Sequence, residues 1–339
     1  MGMRAAVIKG PNTAAVVRLP HPEPGPSEVL VGVDYVGLCG TDLELLHGTS
    51  QYLTDGRSAF PHRFGHEWVG TVRAVGEQVT DLAPGAVVTG CTMLCCQSCR
   101  ACASGRRNLC SALKEVGLYG WAGAAAELLV MPRPAVVSLG GGHSQPAHVL
   151  IEPLVTVLEA LEVATLAPGD EVLVTGAGTI GSLAVAVLSR YPVLVDVVEP
   201  GPNIGHLPVD SYRKRFTGID QVTGRYDVVF ECSGAPGVLG AAMRLLHAGG
   251  QCLVVGVSPS PEEVDPGLLA LHGIRISGVR HGVDHYARAV ALFGELHDSL
   301  AALIDEVVPL AEVGRAFDRL AARRDRPKVV LGIAERSQR

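Results

Sequence analysis

Charged and aromatic residues are scarce in this sequence. They make up 18% and 4% of the 339 residues, against 47% for hydrophobic residues. This balance excludes an extensively disordered chain, and a hydrophobic chain of this length is typical of two globular domains. The 41 glycines and 22 prolines indicate many short strands joined by tight turns.

Long runs of basic residues are also missing. The formal net charge is −6, and the basic clusters at residues 213–215 and 323–324 are only three and two residues long. A protein that binds a polyanion through its phosphates needs a larger basic surface. We therefore expect no nucleic-acid partner.

Two stretches bear on secretion and on membrane insertion. Its first residues, MGMRAAVIKG, contain no apolar signal core, so we expect a cytoplasmic protein. The uncharged, mostly apolar run at residues 172–189 is long enough to raise the question of a membrane span. Because three glycines interrupt it at a spacing typical of a nucleotide-binding turn, we predict no membrane partner.

Cysteines are concentrated in one short stretch: six of the nine lie within residues 91–110. Four of them have the spacing C-x2-C-x2-C-x7-C, namely Cys96, Cys99, Cys102 and Cys110. This spacing lets four thiolates bind one Zn²⁺, and four ligands fill its shell, so we predict a structural zinc. Disulfides are the alternative, which a reducing cytoplasm disfavours. Cys91 and Cys95 are surplus, and Cys95 competes with Cys96 as a ligand.

A second set of metal-binding residue types is spread over three segments. Cys39 lies in GLCGTD, His66 and Glu67 lie in FGHEWVG, and Glu152 lies in IEPLVTVLEALEVA. One thiolate, one imidazole and one or two carboxylates hold a zinc ion and leave a place for water or a substrate oxygen. A lone Cys or His is more often a core residue, but here a separate four-cysteine set accompanies them.

A nucleotide-binding pattern begins near residue 171. The stretch EVLVTGAGTIGSLAVAVLSRY indicates a strand, a turn and a helix, with G-x-G-x-x-G at Gly176, Gly178 and Gly181. These glycines allow a pyrophosphate to rest on the helix N-terminus. A second strand, VLVDVVEP, ends at Glu199, 18 residues after Gly181. A carboxylate there binds both ribose hydroxyls of NAD and repels the 2′-phosphate of NADP, so we expect NAD.

The segment after Glu199 departs from this pattern. A helix is expected there, but four residues oppose it: Pro200, Pro202, Gly205 and Pro208. The adenine pocket therefore stays open to interpretation, and a phosphate contact from Arg213, Lys214 or Arg215 is an alternative.

The two halves of the chain differ in their strand pattern. Residues 1 to about 150 carry many short strands with an antiparallel opening. The rest alternates strands with helices, which implies an α/β fold with a doubly wound parallel sheet. We expect late helices over residues 286–297 and 311–324 and a closing strand at PKVVLGI.

These motifs, in this order and at these distances, resemble the zinc-dependent medium-chain alcohol and polyol dehydrogenases over nearly the whole chain. The resemblance implies a GroES-like, mostly antiparallel β catalytic domain over residues 1–153, to which residues 298–339 return. It implies a Rossmann-type domain over residues 154–297. It also implies a homodimer or a homotetramer.

The resemblance also implies roles for individual residues. Cys39, His66 and Glu152 look like catalytic-zinc ligands, Glu67 like a ligand or a close partner of one, and Thr41 like the hydroxyl that passes the substrate proton outward. With the four-cysteine site this makes two Zn²⁺ per chain. The implied contacts of NAD or NADP are Gly176, Gly178, Thr179, Ile180, Gly181, Glu199, Ser233 and Gly256.

The substrate residues resemble the glucose dehydrogenase branch. Many alcohol dehydrogenases of this family carry a His where this chain has Glu44, so the proton path beyond Thr41 stays open. Glu115 and His285 fall where the sugar branch holds hydroxyl groups. On the residues alone, Glu115 is equally a surface carboxylate and His285 a helix cap.

We therefore expect an oxidoreductase that transfers a hydride between NAD(P) and a secondary alcohol of a polyol, sugar or cyclitol. A threonine-type amino alcohol or an aminocyclitol or amino sugar, as in a 2-deoxy-scyllo-inosamine dehydrogenase-like role, is the alternative, because Glu44 and Glu115 suit an ammonium group. A third interpretation is that the protein binds zinc and NAD without catalysing a reaction. Zinc-free quinone-reductase relatives are excluded, since they lack both metal sets.

Overall fold

The computed structural model describes residues 2–201 and 204–334. The strands of the first half are β1 (Gly2–Gly10), β2 (Thr13–Pro20), β3 (Glu28–Leu38), β4 (Glu67–Val75), β5 (Val87–Gly90), β6 (Met93–Leu94), β7 (Lys114–Val116), β8 (Gly120–Trp121), β9 (Leu128–Pro132) and β10 (Val136–Ser138). Those of the second half are β11 (Glu171–Thr175), β12 (Leu194–Val198), β13 (Lys214–Phe216), β14 (Tyr226–Glu231), β15 (Leu246–Val254), β16 (Arg275–Gly278), β17 (Ile304–Pro309) and β18 (Lys328–Gly332).

The helices are mostly short in the first half and longer in the second. They are α1 (Gly40–His47), α2 (Gln51–Thr54), α3 (Arg100–Ala103), α4 (Ile151–Val163), α5 (Thr179–Leu188), α6 (Val238–Arg244), α7 (Pro266–His272), α8 (Tyr286–Ala301) and α9 (Val313–Ala321). No helix within the described ranges is both long and apolar enough to cross a membrane.

The first half forms a mostly antiparallel sheet, as predicted. Its strand order is β10-β5-β4-β3-β18-β17, with β9 also paired to β3. Strand β3 is buried at most positions because it lies between β4 and β18 and has both faces covered. The pair β1 and β2 forms a separate antiparallel hairpin. The end of β3 therefore lies deep in the molecule, at the start of α1.

The second half forms the predicted doubly wound parallel sheet. Its strand order is β13-β12-β11-β14-β15-β16, and all five neighbouring pairs are parallel. Strand β11 is almost wholly buried, as expected for a central parallel strand between two helix layers. The chain changes direction between β11 and β14, and ligands of such sheets bind outside the carboxyl ends of the strands at this point.

Two predicted helices end at different residues. Helix α8 continues to Ala301, beyond residue 297, while α9 ends at Ala321 instead of 324. Between β12 and β13 the described residues contain only a 3-10 turn, Val209–Ser211. This agrees with the predicted lack of a helix after Glu199, although Pro202 lies outside the described residues.

The last two strands join the first sheet, where β18 pairs with β3 and β17 with β18. The domain limits drawn from the sequence, 1–153 with 298–339 and 154–297, stay a prediction. Residues 335–339 of that range lie outside the described part of the chain.

Candidate active site

A cavity of about 500 Å³ is lined by loops of both large sheets. Most of the site residues expected from the sequence contribute to its wall. They are Cys39, Thr41, Glu44, His66, Glu67, Glu115, Glu152, Gly178, Thr179, Ile180, Ser233 and Gly256. The cavity therefore brings the first metal-ligand set and the start of α5 together.

Cys39 and His66 form the core of the metal-ligand set. Cys39 is the N-cap residue of α1, and its Sγ lies 3.2 Å from Nε2 of His66. The Asp42 carboxylate accepts a hydrogen bond from the backbone N–H of Cys39 at 3.0 Å, which ties the thiol to the first turn of the helix. Burial raises the pKa of the Cys39 thiol.

Asp42 also faces the other side of the His66 ring. Its Oδ1 lies 3.7 Å from Nδ1 of His66, and neither of these buried atoms has a hydrogen-bond partner among the residues that the structure describes. A histidine that binds a metal commonly directs its second nitrogen at a carboxylate. The arrangement therefore leaves Nε2, next to the Cys39 thiol, as the nitrogen for a metal.

Two buried carboxylates complete the set, and their surroundings differ. Glu67 and Glu152 form one group with His66 in which the potential ligand atoms lie within 4.8 Å of one another. Both oxygens of Glu67 accept hydrogen bonds from Nζ of Lys328, at 2.8 and 2.6 Å. Glu152 accepts one from Oγ1 of Thr92 at 2.7 Å. The lysine thus already compensates the charge of Glu67.

The four predicted thiols lie together in the first half, Cys96 exposed and Cys102 and Cys110 buried. Their sulfur atoms lie within 4.8 Å of one another, and Cys95 does not belong to the group formed by Cys96, Cys99, Cys102 and Cys110. All cysteines are free. Backbone hydrogen bonds lower the pKa of Cys99 to about 5, whereas burial raises that of Cys102 to about 12, so without a cation the group keeps protons. A zinc ion fits this donor set.

The glycines of the nucleotide pattern have different surroundings. Gly176 has φ +82°, which favours glycine, and a Cβ on Gly181 would overlap the carbonyl oxygen of Gly176. A Cβ on Gly178, the N-cap residue of α5, would meet nothing within 4 Å. The space beside Gly178 is therefore open to a ligand, as a pyrophosphate at this helix N-terminus requires.

Glu199 lies in an adjoining cavity, which shares Gly178 with the first one. Its carboxylate accepts hydrogen bonds from the N–H groups of Ala177 and Gly201 at 2.7 and 2.6 Å. These bonds hold it beside the glycine turn at the end of β12. Arg324 from the C-terminal segment lines both cavities, and the sequence interpretation did not include it.

The basic residues after Glu199 have partners within the sheet. The guanidinium of Arg213 forms ion pairs with Asp196 and Glu171, both at 2.8 Å. Arg215 donates a hydrogen bond to the carbonyl oxygen of Glu199 at 3.2 Å. Arg213 is thus engaged away from the two cavities.

The far wall of the cavity carries an ion pair that the sequence did not indicate. Oε1 of Glu115 accepts hydrogen bonds from Arg280 at 2.6 Å and from the hydroxyl of Tyr119 at 2.7 Å. Glu44 also faces the cavity, and desolvation raises its pKa. The wall thus presents donors and acceptors, with the charge of Glu115 balanced.

His285, expected among the substrate residues, does not line the cavity. Its Nε2 lies 3.0 Å from Oε2 of Glu159, and His281 lines the cavity in its place. Both histidines occur in GVRHGVDHY, and the turn after β16 directs the first of them inward.

Little in the sequence indicates a role for Lys328, the partner of Glu67. Its only sequence signal is a single charge at the start of an otherwise apolar strand.

Comparisons with known proteins agree with this geometry. Residues 25–141 match the alcohol dehydrogenase GroES-like domain, and residues 145–333, more than half of the chain, match the glucose dehydrogenase C-terminus. L-threonine 3-dehydrogenase of Legionella pneumophila is 27% identical over 90% of this chain and 92% of its own. L-galactonate-5-dehydrogenase of Escherichia coli is 34% identical over 53% of this chain and 51% of its own.

Comparison with solved structures indicates the same family over nearly the full length of the chain. A protein assigned as a zinc-binding dehydrogenase from Sinorhizobium meliloti, bound to NADP, is 26% identical with a TM-score of 0.86 and covers 98% of this chain and 100% of its own. The predicted fold, a GroES-like domain with a Rossmann-type sheet, and the predicted family are confirmed. The chain belongs to the zinc-dependent medium-chain alcohol and polyol dehydrogenases, oxidoreductases that act on CH–OH donors with NAD(P).

Proposed function

We propose that the protein oxidises a secondary alcohol of a polyol, sugar or cyclitol with NAD(P), at a zinc ion held by Cys39, His66 and Glu152. The observation that carries this proposal is the shared cavity. Its wall contains the thiol, imidazole and carboxylate set on one side and the open N-terminus of α5 at Gly178 on the other. A metal-activated hydroxyl and a nicotinamide ring need this proximity.

The donor set fits a zinc ion. Burial raises the pKa of Glu67 and of Glu152, so a cation beside these carboxylates would favour their charged form. We assign Glu152 as the carboxylate ligand and Glu67 as the charge partner of Lys328. The four-cysteine site adds the structural zinc, which makes two metal sites per chain.

The two bound groups supply Lewis-acid activation of the alcohol oxygen and a hydride acceptor. The Thr41 hydroxyl, on the first turn of α1 and in the cavity wall, takes the proton of the substrate hydroxyl. Glu44 lies three residues later on the same helix face and also lines the cavity. Its raised pKa suits the next acceptor of that proton. Gly178, Thr179 and Ile180 bind the cofactor phosphates.

The Glu115 ion pair supports a polyhydroxylated substrate over an amino-substituted one. An ammonium group is best held by an unpaired carboxylate, whereas Glu115 already pairs with Arg280 at 2.6 Å. Together they offer one acceptor and one donor, which matches neighbouring hydroxyl groups. Because L-threonine 3-dehydrogenase is among the relatives, amino alcohols are also tested as substrates.

We propose NAD as the preferred cofactor. The Glu199 carboxylate, at the end of β12 and next to Gly178, is suited to ribose hydroxyls and would repel a 2′-phosphate. The Sinorhizobium meliloti protein binds NADP, so both cofactors belong in the test. A homodimer or homotetramer stays a prediction for sedimentation to test.

The experiment is a turnover assay with matched cofactors. Purified protein receives NAD or NADP with sugars, polyols, cyclitols and their amino derivatives, and the formation of reduced nicotinamide is followed by absorbance. We expect oxidation of an unsubstituted polyol or sugar with NAD. Activity only on amino derivatives would contradict the substrate proposal, and preference for NADP would contradict the role of Glu199. Two bound zinc ions without turnover would support a non-catalytic binding protein.

A further inference from the structure

His281 lies in the cavity wall with both ring nitrogens engaged. Its Nδ1 is 2.9 Å from Oγ1 of Thr156 and 3.7 Å from Oε1 of Glu152. Its Nε2 is 3.2 Å from the hydroxyl of Tyr286. The side chain of His281 is only 12% exposed. The ring therefore stands between Glu152 and Tyr286, with little freedom to turn.

The hydrogen-bond partners of Tyr286 favour one tautomer of the His281 ring. The Tyr286 oxygen accepts a hydrogen bond from the backbone N–H of Thr92 at 3.2 Å. Its own O–H is then free to donate, and Nε2 of His281 is the acceptor within reach. A neutral histidine that accepts at Nε2 has its N–H at Nδ1. That N–H faces Thr156 and the Glu152 carboxylate.

The same contacts close a ring around Glu152. Thr92 donates its hydroxyl to Oε1 of Glu152 at 2.7 Å and its backbone N–H to Tyr286. Tyr286 contacts His281, and His281 faces Oε1 of Glu152 again. Thr92 thus hydrogen-bonds one oxygen of Glu152, His281 lies beside the same oxygen, and Tyr286 links these two residues. A glutamate side chain has several rotatable bonds, so such lateral contacts decide where its second oxygen points.

We propose that His281 is a positioning residue that, together with Tyr286, orients Glu152 so that its second carboxylate oxygen binds the catalytic metal. This rests on the zinc site of the proposed function. Groups that orient a metal ligand typically contribute 10- to 100-fold in metal affinity. His281 acts through Glu152 and belongs to none of the metal-ligand groups.

The test compares metal coordination in His281→Phe, His281→Gln and wild type. Phe keeps the ring volume and removes both nitrogens, whereas Gln keeps one donor and one acceptor. His148→Phe is the matched control, since this histidine is also partly buried, packs on Phe293 and does not line the cavity. Cobalt(II) is loaded into the catalytic site, where its visible spectrum reports the ligand set, and zinc release to a chelator is timed.

We expect His281→Phe to change the cobalt spectrum and to weaken catalytic-zinc binding by about 10-fold. His281→Gln should recover part of both effects, and His148→Phe should match wild type. A folded His281→Phe protein with the wild-type spectrum and release rate would overturn the proposal.

A second variant covers the case in which His281→Phe does not fold. Tyr286→Phe removes only the hydroxyl that donates to Nε2, and we expect a smaller spectral change in the same direction. An unchanged spectrum in Tyr286→Phe would overturn the proposal. Wild-type protein that binds no metal beyond the four-cysteine site would overturn both this proposal and the proposed function. Unaltered coordination in an active His281 variant would overturn this one alone.

Discussion

Cys39 combines a backbone role with a chemical one. It follows β3 directly, is the N-cap residue of α1 and brings its thiol to 3.2 Å from Nε2 of His66. Burial raises the pKa of this thiol, so a thiolate there needs a cation beside it. The same residue thus begins the helix that carries Thr41 and offers a thiol, the softest type of donor, to the proposed metal site.

Replacing Cys39 with Ser should abolish turnover and leave the fold nearly unchanged. The serine hydroxyl stays protonated and is a poor zinc ligand, while the backbone bond to Asp42 remains available. The measurements are the rate of reduced nicotinamide formation, the catalytic zinc content and the affinity for NAD. We expect the last of these to stay within about twofold of wild type, because Gly178 and α5 are untouched. Wild-type rates would remove the catalytic-zinc assignment.

The cavity residues that the sequence predicted lie in short motifs that can be recognised from adjacent residues. Cys39, His66 and the glycine turn lie in short motifs with fixed spacing. His281 and Arg280 lie in a loop, where only tertiary packing decides which side chain points inward. The resemblance selected His285, which lies four residues later and contacts Glu159 instead. Spacing alone does not resolve a choice of that kind.

At the scale of elements, strand and helix types were predictable and their ends less so. The strand β11 and the helix α5 follow from an apolar run and a glycine pattern. The end of α9 at Ala321 is set by contacts of the following loop, where Arg324 donates to the carbonyl oxygens of Arg319 and Ala322 at 3.2 and 3.1 Å. Such a cap comes from a residue beyond the helix, so local propensity misses it.

The four-cysteine lobe has little regular structure of its own. This lobe, residues 96–110, contains only the four-residue helix α3 and a short 3-10 turn. Cys99→Ser should therefore prevent binding of the proposed structural zinc and lower the free energy of unfolding by about 4 kcal/mol, the range in which loss of a metal falls. Zinc content and thermal unfolding measure both effects.

Cys95→Ser is the control for the lobe, since Cys95 is outside the group of four thiols. We expect it to change stability by no more than about 0.5 kcal/mol. A Cys99→Ser protein as stable as wild type would mean that the lobe does not depend on a metal.

Two glycines at the start of α5 should respond differently to alanine. A Cβ at Gly181 would lie 1.8 Å from the carbonyl oxygen of Gly176, so Gly181→Ala should destabilise the protein by about 1–3 kcal/mol. A Cβ at Gly178 meets no atom of the described residues within 4 Å, so Gly178→Ala should keep the stability of the protein. It should instead weaken NAD binding about tenfold, because its methyl group occupies the approach of the pyrophosphate.

Thermal unfolding and NAD titration separate the two effects. Gly178→Ala with wild-type NAD affinity would argue against a pyrophosphate at this turn. If Gly178→Ala and Gly181→Ala destabilise the protein equally, the glycines are needed for the backbone conformation of the turn and not for space beside a ligand.

At the scale of the whole molecule, the C-terminal strand completes the first sheet. Strand β18 pairs with β3, and Lys328 at its start is fully buried. Its Nζ donates to both oxygens of Glu67 and, at 3.1 Å, to the carbonyl oxygen of Leu38. Residues 261 positions apart are thereby joined directly beneath the metal-ligand set. Sequence patterns do not show how strands so far apart in the chain align with each other. The ion pair between Lys328 and Glu67 was therefore not predicted.

Breaking this pair from one side should be costly. Lys328→Met leaves the Glu67 carboxylate buried without its partner, and removal of one member of a buried pair typically costs about 3–5 kcal/mol.

The double variant Lys328→Met with Glu67→Gln has no buried charge left at this place, so it should recover much of that loss in a double-mutant cycle. Urea unfolding measures all four proteins, and a cycle in which the single effects simply add would show that the pair is not coupled. If the double variant recovers stability but not turnover, the Lys328–Glu67 pair has two roles. It then anchors the C-terminal strand and also positions the Glu67 carboxylate beside His66.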